Sequence, residues 1–228
     1  MMVGKTVDDM HMGMLPEDVY PSDKDQPTFK AYLTVVVRDA SGNIVKVHKQ
    51  WSHSPTANFM SIMLPRTYYY NTGQGPPITT TGGTTYYYHQ NTFPLYYPNT
   101  NSNCATYLIG IEVGNSNQTN QYGATNLASP IANGSGAGQL VYGQTSVSSS
   151  PIASGNSVYF YISRTFNNSS GGTITITEVG IFVNMCLYLT SGSNTSGTYL
   201  VWYDVLSSAI SVPNGGSVTI YYTFAVNP

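Results

Sequence analysis

"SVTIYYTFAV", residues 217–226, alternates cleanly: Val218, Ile220, Tyr222, Phe224 and Val226 fall on one side, Ser217, Thr219, Tyr221 and Thr223 on the other. A period of two with one apolar side is the pattern of a half-buried strand. The turn residues "PNGG" (213–216) precede it, and "YLVWYDVL" (199–206) lies before them. Further upstream come "TITITEVGIFV" (173–183), "SVYFYISRTF" (157–166), "QLVYGQT" (139–145) and "TYLIGIEV" (106–113), with "SSGG" and "SGSNTSG" as separators. "TFKAYLTVVVRDASGNIVKVHKQW" (28–51) reads as a β-hairpin around the turn "DASGN". Roughly eight or nine short strands divided by turn signals predict an all-β chain, an antiparallel β-sandwich of jelly-roll-like form.

One strand breaks its rhythm. In "TITITEVGIFV" the apolar positions are Ile174 and Ile176, then Val179, Ile181 and Val183, so the phase flips around Thr177 and Glu178. A β-bulge restores the inward face and leaves Glu178 partly buried, in need of a partner. Arg164, on the strand before the "SSGG" turn, is the candidate for a structural ion pair with Glu178 across a hairpin.

A single helix is expected at "SPTANFMSIMLP" (54–65), with Ser54 as cap, Pro55 in the first turn, Phe59, Ile62 and Met63 on one face and Pro65 as terminator. Residues 1–25, acidic, rich in methionine and broken by Pro16 and Pro21, read as an extended N-terminal arm; residues 26–228 form the sandwich domain. Between them in character is a long loop at about 67–104, rich in Gly, Pro and Tyr. A loop of that length in a compact domain is functional or disordered, and aromatic content favours function.

Charged residues make up 8% of the chain, against roughly 25% in an average domain, so the polar surface is built mostly from Asn, Ser, Thr, Gly, Gln and Tyr. Fourteen of the eighteen charges precede residue 67, leaving Glu112, Arg164, Glu178 and Asp204 for the remainder. A net charge of −2 without a basic cluster disfavours nucleic acid as a partner. With ten carboxylates in all, tolerance of acid is expected. No run approaches the length of a membrane span, and the N-terminus lacks the apolar core of a secretory signal.

No pattern carries chemistry. His48 and His53 are five apart, poor geometry for a shared metal, and "DDMHM" suits a docking arm better than a soft-metal site. There is no G-x-S-x-G elbow, no credible carboxylate pair and no phosphate loop, and Cys104 and Cys186 allow one disulfide or two unpaired thiols. The expectation is a non-enzyme without cofactor or metal. Five N-x-[ST] sequons occur, at Asn117, Asn133, Asn167, Asn168 and Asn194.

The tyrosine stretch holds Tyr68, Tyr69, Tyr70, Tyr86, Tyr87, Tyr88, Tyr96 and Tyr97 without one charge. Tyrosine offers large contact area at low entropic cost and a hydroxyl for polar partners, and an uncharged loop can be buried without stranding an ion. These eight residues are the expected inter-subunit contact.

Three stretches, "VVVRDASGNIVKVHKQWSHSPTANFMSIM", "IGIEVGNSNQTNQYGATNLASPI" and "RTFNNSSGGTITITEVGIFV … YLVWYDVLSSAISVPNGGSVTIYYTFAV", together resemble a loosely defined family of β-rich virion structural proteins of phages and archaeal viruses. The likeness covers roughly residues 33–226, with E-V-G and the Y-D-V-L step before the last glycine turn as its strongest part, Tyr203 standing where the family pattern has a basic residue. It implies a particle component, of a tail, a portal-proximal nozzle or a vertex turret, located in the virion and partnered by copies of itself and by other virion proteins. It brings no catalytic or ligand residues. Two alternatives share the composition: an extracellular filament or surface-layer subunit, and a carbohydrate-binding adhesin whose tyrosines or Trp51 and Trp202 meet a host-surface glycan; both tryptophans fall in predicted strands, where core packing is the expected use. The acidic arm, net −4 against +2 for the rest, is expected to lie on a neighbouring subunit.

Overall fold

The structure is a computed structural model and describes residues 28–52, 54–63, 77–87, 107–188 and 194–227. The expected all-β chain with one short helix is present. The elements are β1 (Thr28–Arg38), β2 (Ile44–Ser52), α1 (Ala57–Met63), β3 (Pro77–Thr79), β4 (Thr85–Tyr87), β5 (Tyr107–Gly114), β6 (Val141–Tyr142), β7 (Ser146–Val147), β8 (Ile152–Ser154), β9 (Ser157–Asn167), β10 (Ile174–Tyr188), β11 (Asn194–Val212) and β12 (Ser217–Asn227).

Two antiparallel sheets pack against each other. The first has the order β2-β1-β12-β9-β6, with β7 and β8 also pairing on β9; the second has the order β11-β10-β5. A separate small hairpin joins β3 and β4. The predicted hairpin of β1 and β2 is in place, and Asp39 organises its turn by accepting from the amides of Ser41 and Asn43, both at 2.9 Å.

The four long C-terminal strands form one ribbon, folded across its middle. Within the first sheet Val158 pairs with Val226 and Asn167 with Ser217; past the fold, in the second sheet, Ile174 pairs with Val212 and Tyr188 with Asn194. The segments 168–173 and 213–216 are thus two arches lying side by side, and Asn168 fastens them. Its backbone amide donates to Gly216 O at 2.9 Å, its carbonyl accepts from Gly215 N at 2.7 Å, and its side-chain amide donates to Gly172 O and Val212 O, each at 2.8 Å. Asn168 is buried and both amide hydrogens are used, so in the folded chain it is not an open glycan acceptor despite its sequon.

The alternation of residues 217–226 is what the core uses. Val218, Ile220 and Tyr222 are fully buried beside Leu33, Val35 and Val37 of β1 and Phe166 of β9, facing Ile176, Val179, Ile181, Trp202 and Ile210 of the second sheet. Val226 departs from the expectation: it lies past the cover of the second sheet and is 46% exposed. The outer side of the second sheet is covered by the segment 115–131, whose Ala124 and Leu127 pack on Phe182, Leu200 and Tyr203.

The helix begins later than the sequence suggests. Met60 N donates to Thr56 O and Phe59 N to Thr56 Oγ1 at 3.4 Å, so Thr56 is the cap. Ser54 is occupied elsewhere: its carbonyl accepts from Tyr203 N and its hydroxyl donates to Gln121. Residues 54–56 instead line the edge of β11, where Pro55 bridges to Trp202 and Thr56 N donates to Val201 O. Phe59 then packs edge-on against Trp202 at 5.4 Å.

Candidate interaction surface

The charges of the body turn inward. The phase break in β10 is the expected bulge, between Ile176 and Glu178, and it swings Glu178 into a site with no solvent exposure. Its carboxylate accepts from Ala128 N at 2.9 Å, Ser129 N at 2.8 Å and the Tyr203 hydroxyl at 2.8 Å. Gly114 makes room for it, since a Cβ there would stand 2.2 Å from Glu178 Oε1. The loop 115–131 is thereby pinned to the second sheet.

Arg164 is not the partner of Glu178. The pair was expected to face across a hairpin, but β9 and β10 are joined by an arch and belong to different sheets, β9 pairing with β12 and β10 with β11 and β5. Arg164 crosses the sandwich instead, donating through Nε to Gly143 O at 2.8 Å and through Nη1 to Ile111 O at 2.9 Å, with its guanidinium 4.8 Å from the Tyr142 ring centre. Its acidic neighbour is Glu112 on β5. Burial pushes the Glu112 carboxyl up, and the positive charge of Arg164 partly offsets that. Burial also raises the Tyr142 phenol to about 12, while its hydroxyl donates to Ile131 O at 2.6 Å.

Asp204 completes the set. It is buried between the sheets, accepting from Tyr222 across the core at 2.9 Å and from Ser52, whose hydroxyl in turn accepts from the Trp202 indole. Trp202 is therefore a core residue. Every charged side chain that the sequence places after Arg66 is half-buried or fully buried, and residues 67–106 have none. The surface contributed by this part of the chain presents no fully exposed ion.

What it presents instead is hydroxyl, amide and ring, joined on the outer side of the first sheet by Lys30, Arg38 and Lys49 of the β1–β2 hairpin. On the outer side of the first sheet, register brings Trp51, Tyr32, Thr223 and Tyr161 into one row and Lys49, Thr34, Tyr221 and Ser163 into the next. Tyr32 meets Trp51 edge-on at 5.3 Å, and Lys30 sits over the same indole at 5.4 Å. Trp51 is thus half-buried on an open face, with no place in the core. A cleft of about 440 Å³ opens beside this face, lined by Ser148, Ser149, Ser150, Ser154, Tyr159 and Tyr161 among others.

A second exposed feature lies at one end of the sandwich, where the inner side of the first sheet outruns the second. Phe29, Val158, Phe160 and Val226 are 56%, 46%, 37% and 46% exposed, and the Phe29 and Phe160 rings stack on either side of Phe224. Contiguous apolar surface of this kind marks interaction sites.

Of the eight tyrosines expected at an inter-subunit contact, Tyr86 and Tyr87 are described; Tyr68, Tyr69, Tyr70, Tyr88, Tyr96 and Tyr97 lie outside the described residues, as does Cys104. Tyr86 and Tyr87 do not sit on a plain loop. They belong to β4 of the small hairpin, where Ile78 is fully buried, Asn58 of α1 clamps the amide and carbonyl of Thr79 at 2.8 Å, and Thr81 N donates to Thr198 O. Tyr86 packs on the main core, whereas Tyr87 remains 44% exposed. The symmetric run "ITTTGGTTY" (78–86) around Gly82 and Gly83 carried the hairpin signal.

Among the described residues no three His, Cys, Asp or Glu side chains gather into a metal-holding group, and no helix is long and apolar enough to cross a membrane. His48 is bonded to Gln50 at 2.9 Å on β2. No protein-family model, curated protein or solved structure matches the chain.

Proposed function

We propose that this protein is a non-enzymatic, self-assembling structural component of a virus particle, of the tail, nozzle or turret type, residing in the virion among copies of itself and other particle proteins. The observation that carries the reading is the inward placement of Glu112, Arg164, Glu178 and Asp204, which leaves the surface contributed after Arg66 without a fully exposed charge, beside an exposed aromatic end. Burying an ion in a subunit contact is costly, whereas tyrosine, amide and hydroxyl groups can be buried with partners. Many contacts per copy favour such a surface. The motif likeness supplies the class of assembly. The experiment is the paired substitution Phe29→Ser and Phe160→Ser: a particle subunit loses its assembly with its melting temperature little changed, while unchanged assembly removes this end from the contact.

A second reading, a glycan-binding adhesin, draws on the cleft of serines with Tyr159 and Tyr161, whose uncharged hydroxyl lining suits a neutral saccharide. Binding on a glycan array that disappears with Tyr161→Ala supports it, and a blank array removes it.

A further inference from the structure

Ten carboxylates serve the chain, and all but six are already placed. Glu178 and Asp204 are buried with their own donors, Glu112 is half-buried near Arg164, and Asp39 is bound into its turn. The six others, Asp8, Asp9, Glu17, Asp18, Asp23 and Asp25, all belong to the N-terminal arm. Opposite them in sign stands the β1–β2 hairpin, with Lys30, Arg38, Lys46 and Lys49. Lys46 leans inward and donates to Ala209 O at 3.0 Å; Lys30, Arg38 and Lys49 share the outer side of the sheet by register.

The same hairpin has an open edge. β2 ends the strand order of the first sheet, and no described segment pairs with its other side. Along its outer side Val45, Val47, Lys49 and Trp51 alternate, with Val45 56% and Val47 48% exposed. An unpaired edge strand with exposed valines is a template for another strand. Natural edges of this kind are protected by charge or cover; the cation that β2 turns to its outer side is Lys49.

We propose that the arm of a second copy adds to β2 as an antiparallel strand through residues 6–12. The arm has the matching pattern: Asp8, Met10, Met12 and Met14 alternate with Asp9, His11 and Gly13. One register, with Asp8 against Lys49, also sets Met10 against Val47 and Met12 against Val45, so charge meets charge and apolar meets apolar along a single face. The direction favours a neighbour over the chain's own arm. Antiparallel addition leaves Met12 at the turn end of the hairpin, the length of β1 away from Thr28, so a chain would have to double back over its whole hairpin to serve itself. Residues 13–27 give a tether of about 50 Å in either case, so the mixture of labelled and unlabelled copies decides between them. This inference rests on the assembly reading and names its contact.

The test is zero-length carbodiimide cross-linking of the full-length protein, with isotope-labelled and unlabelled copies mixed in equal amounts, read by mass spectrometry. The expected product joins Asp8 of one copy to Lys49 of another, its yield falling with salt. Lys49→Glu removes the amine and with it the cross-link, and is expected to weaken assembly; Lys49→Glu with Asp8→Lys is expected to restore assembly and to give the reversed link between copies. Links confined to single copies, arm links falling elsewhere than β2, or no rescue by the exchanged pair would overturn the proposal. If the protein assembles without the link, the arm inference falls and the particle reading stands; a monomer without the link sinks both.

Discussion

The Tyr203 hydroxyl donates to Glu178 Oε2 across 2.8 Å while accepting from Gln118 N at 2.9 Å, so one phenol joins a buried carboxylate to the loop that covers it. Few carboxylates exist in this chain, and this one holds a loop to a sheet. Glu178→Gln keeps the shape but turns an amide nitrogen toward one of three donors, and is expected to cost about 2–3 kcal/mol. Tyr203→Phe removes one hydrogen bond from each neighbour and is expected to cost about 1–2 kcal/mol. Urea unfolding of both variants checks the order; equal and negligible losses would deny the carboxylate its role.

The crease of the ribbon depends on Asn168 in the same way. Asn168→Asp places a charge against the carbonyls of Gly172 and Val212, where the amide now donates to both. The expected loss is about 3 kcal/mol, exceeding that of Asn168→Ala, because repulsion is added to the lost bonds. Amide exchange is expected to quicken at Gly171 and Gly215 before the rest of the sheets. Protection unchanged at those two amides would mean the arches are held by their strands alone.

Much of this fold was legible from local pattern. The alternation at 217–226, the hairpin around Asp39 and the bulge at Thr177 each follow from a period or a break in one, and each is a property of a few adjacent residues. What pattern could not supply was which strand pairs with which. Arg164 and Glu178 look like hairpin neighbours because a glycine turn separates them, yet that turn arches between sheets, and only the nonlocal pairing of β9 with β12 decides this. The cap at Thr56 was missed for a related reason: Ser54 and Thr56 are equally good caps in isolation, and the tie is broken by the edge of β11, which takes Ser54. The uncovered end at Phe29 and Phe160 depends on where one sheet stops over another, which no strand records.

Alkaline pH gives a sharp test of the interior. Burial raises the phenols of Tyr142, to about 12, and of Tyr203 and Tyr222, the last two further by neighbouring carboxylates. In the unfolded chain they ionise near 10, so above that pH the native state holds more protons and stability falls as pH rises, by about 1.4 kcal/mol per pH unit for each tyrosine until its folded value is passed. Melting temperature followed from neutral pH to beyond 10 is expected to fall steeply, and Tyr222→Phe to flatten the fall. A flat profile would contradict the buried phenols.

Glu112 and Arg164 predict the opposite edge. Since burial raises the Glu112 carboxyl, its contribution is present below the ordinary carboxylate range and lost as pH rises through the folded value. Arg164→Met removes the charge that offsets this burial and leaves the carbonyls of Gly143 and Ile111 without their donor. The variant is therefore less stable at all pH values, with the deficit largest at neutral pH and shrinking as pH falls through the raised folded value of Glu112. A deficit independent of pH would separate Arg164 from Glu112.

The central claim, that an uncharged surface and an aromatic end exist for self-assembly, is tested most directly by the mass of the purified full-length protein in solution at neutral and acidic pH, from light scattering after size exclusion. A discrete closed assembly at either pH is the predicted result. A stable monomer at both, with Phe29 and Phe160 still open to solvent, would contradict the account.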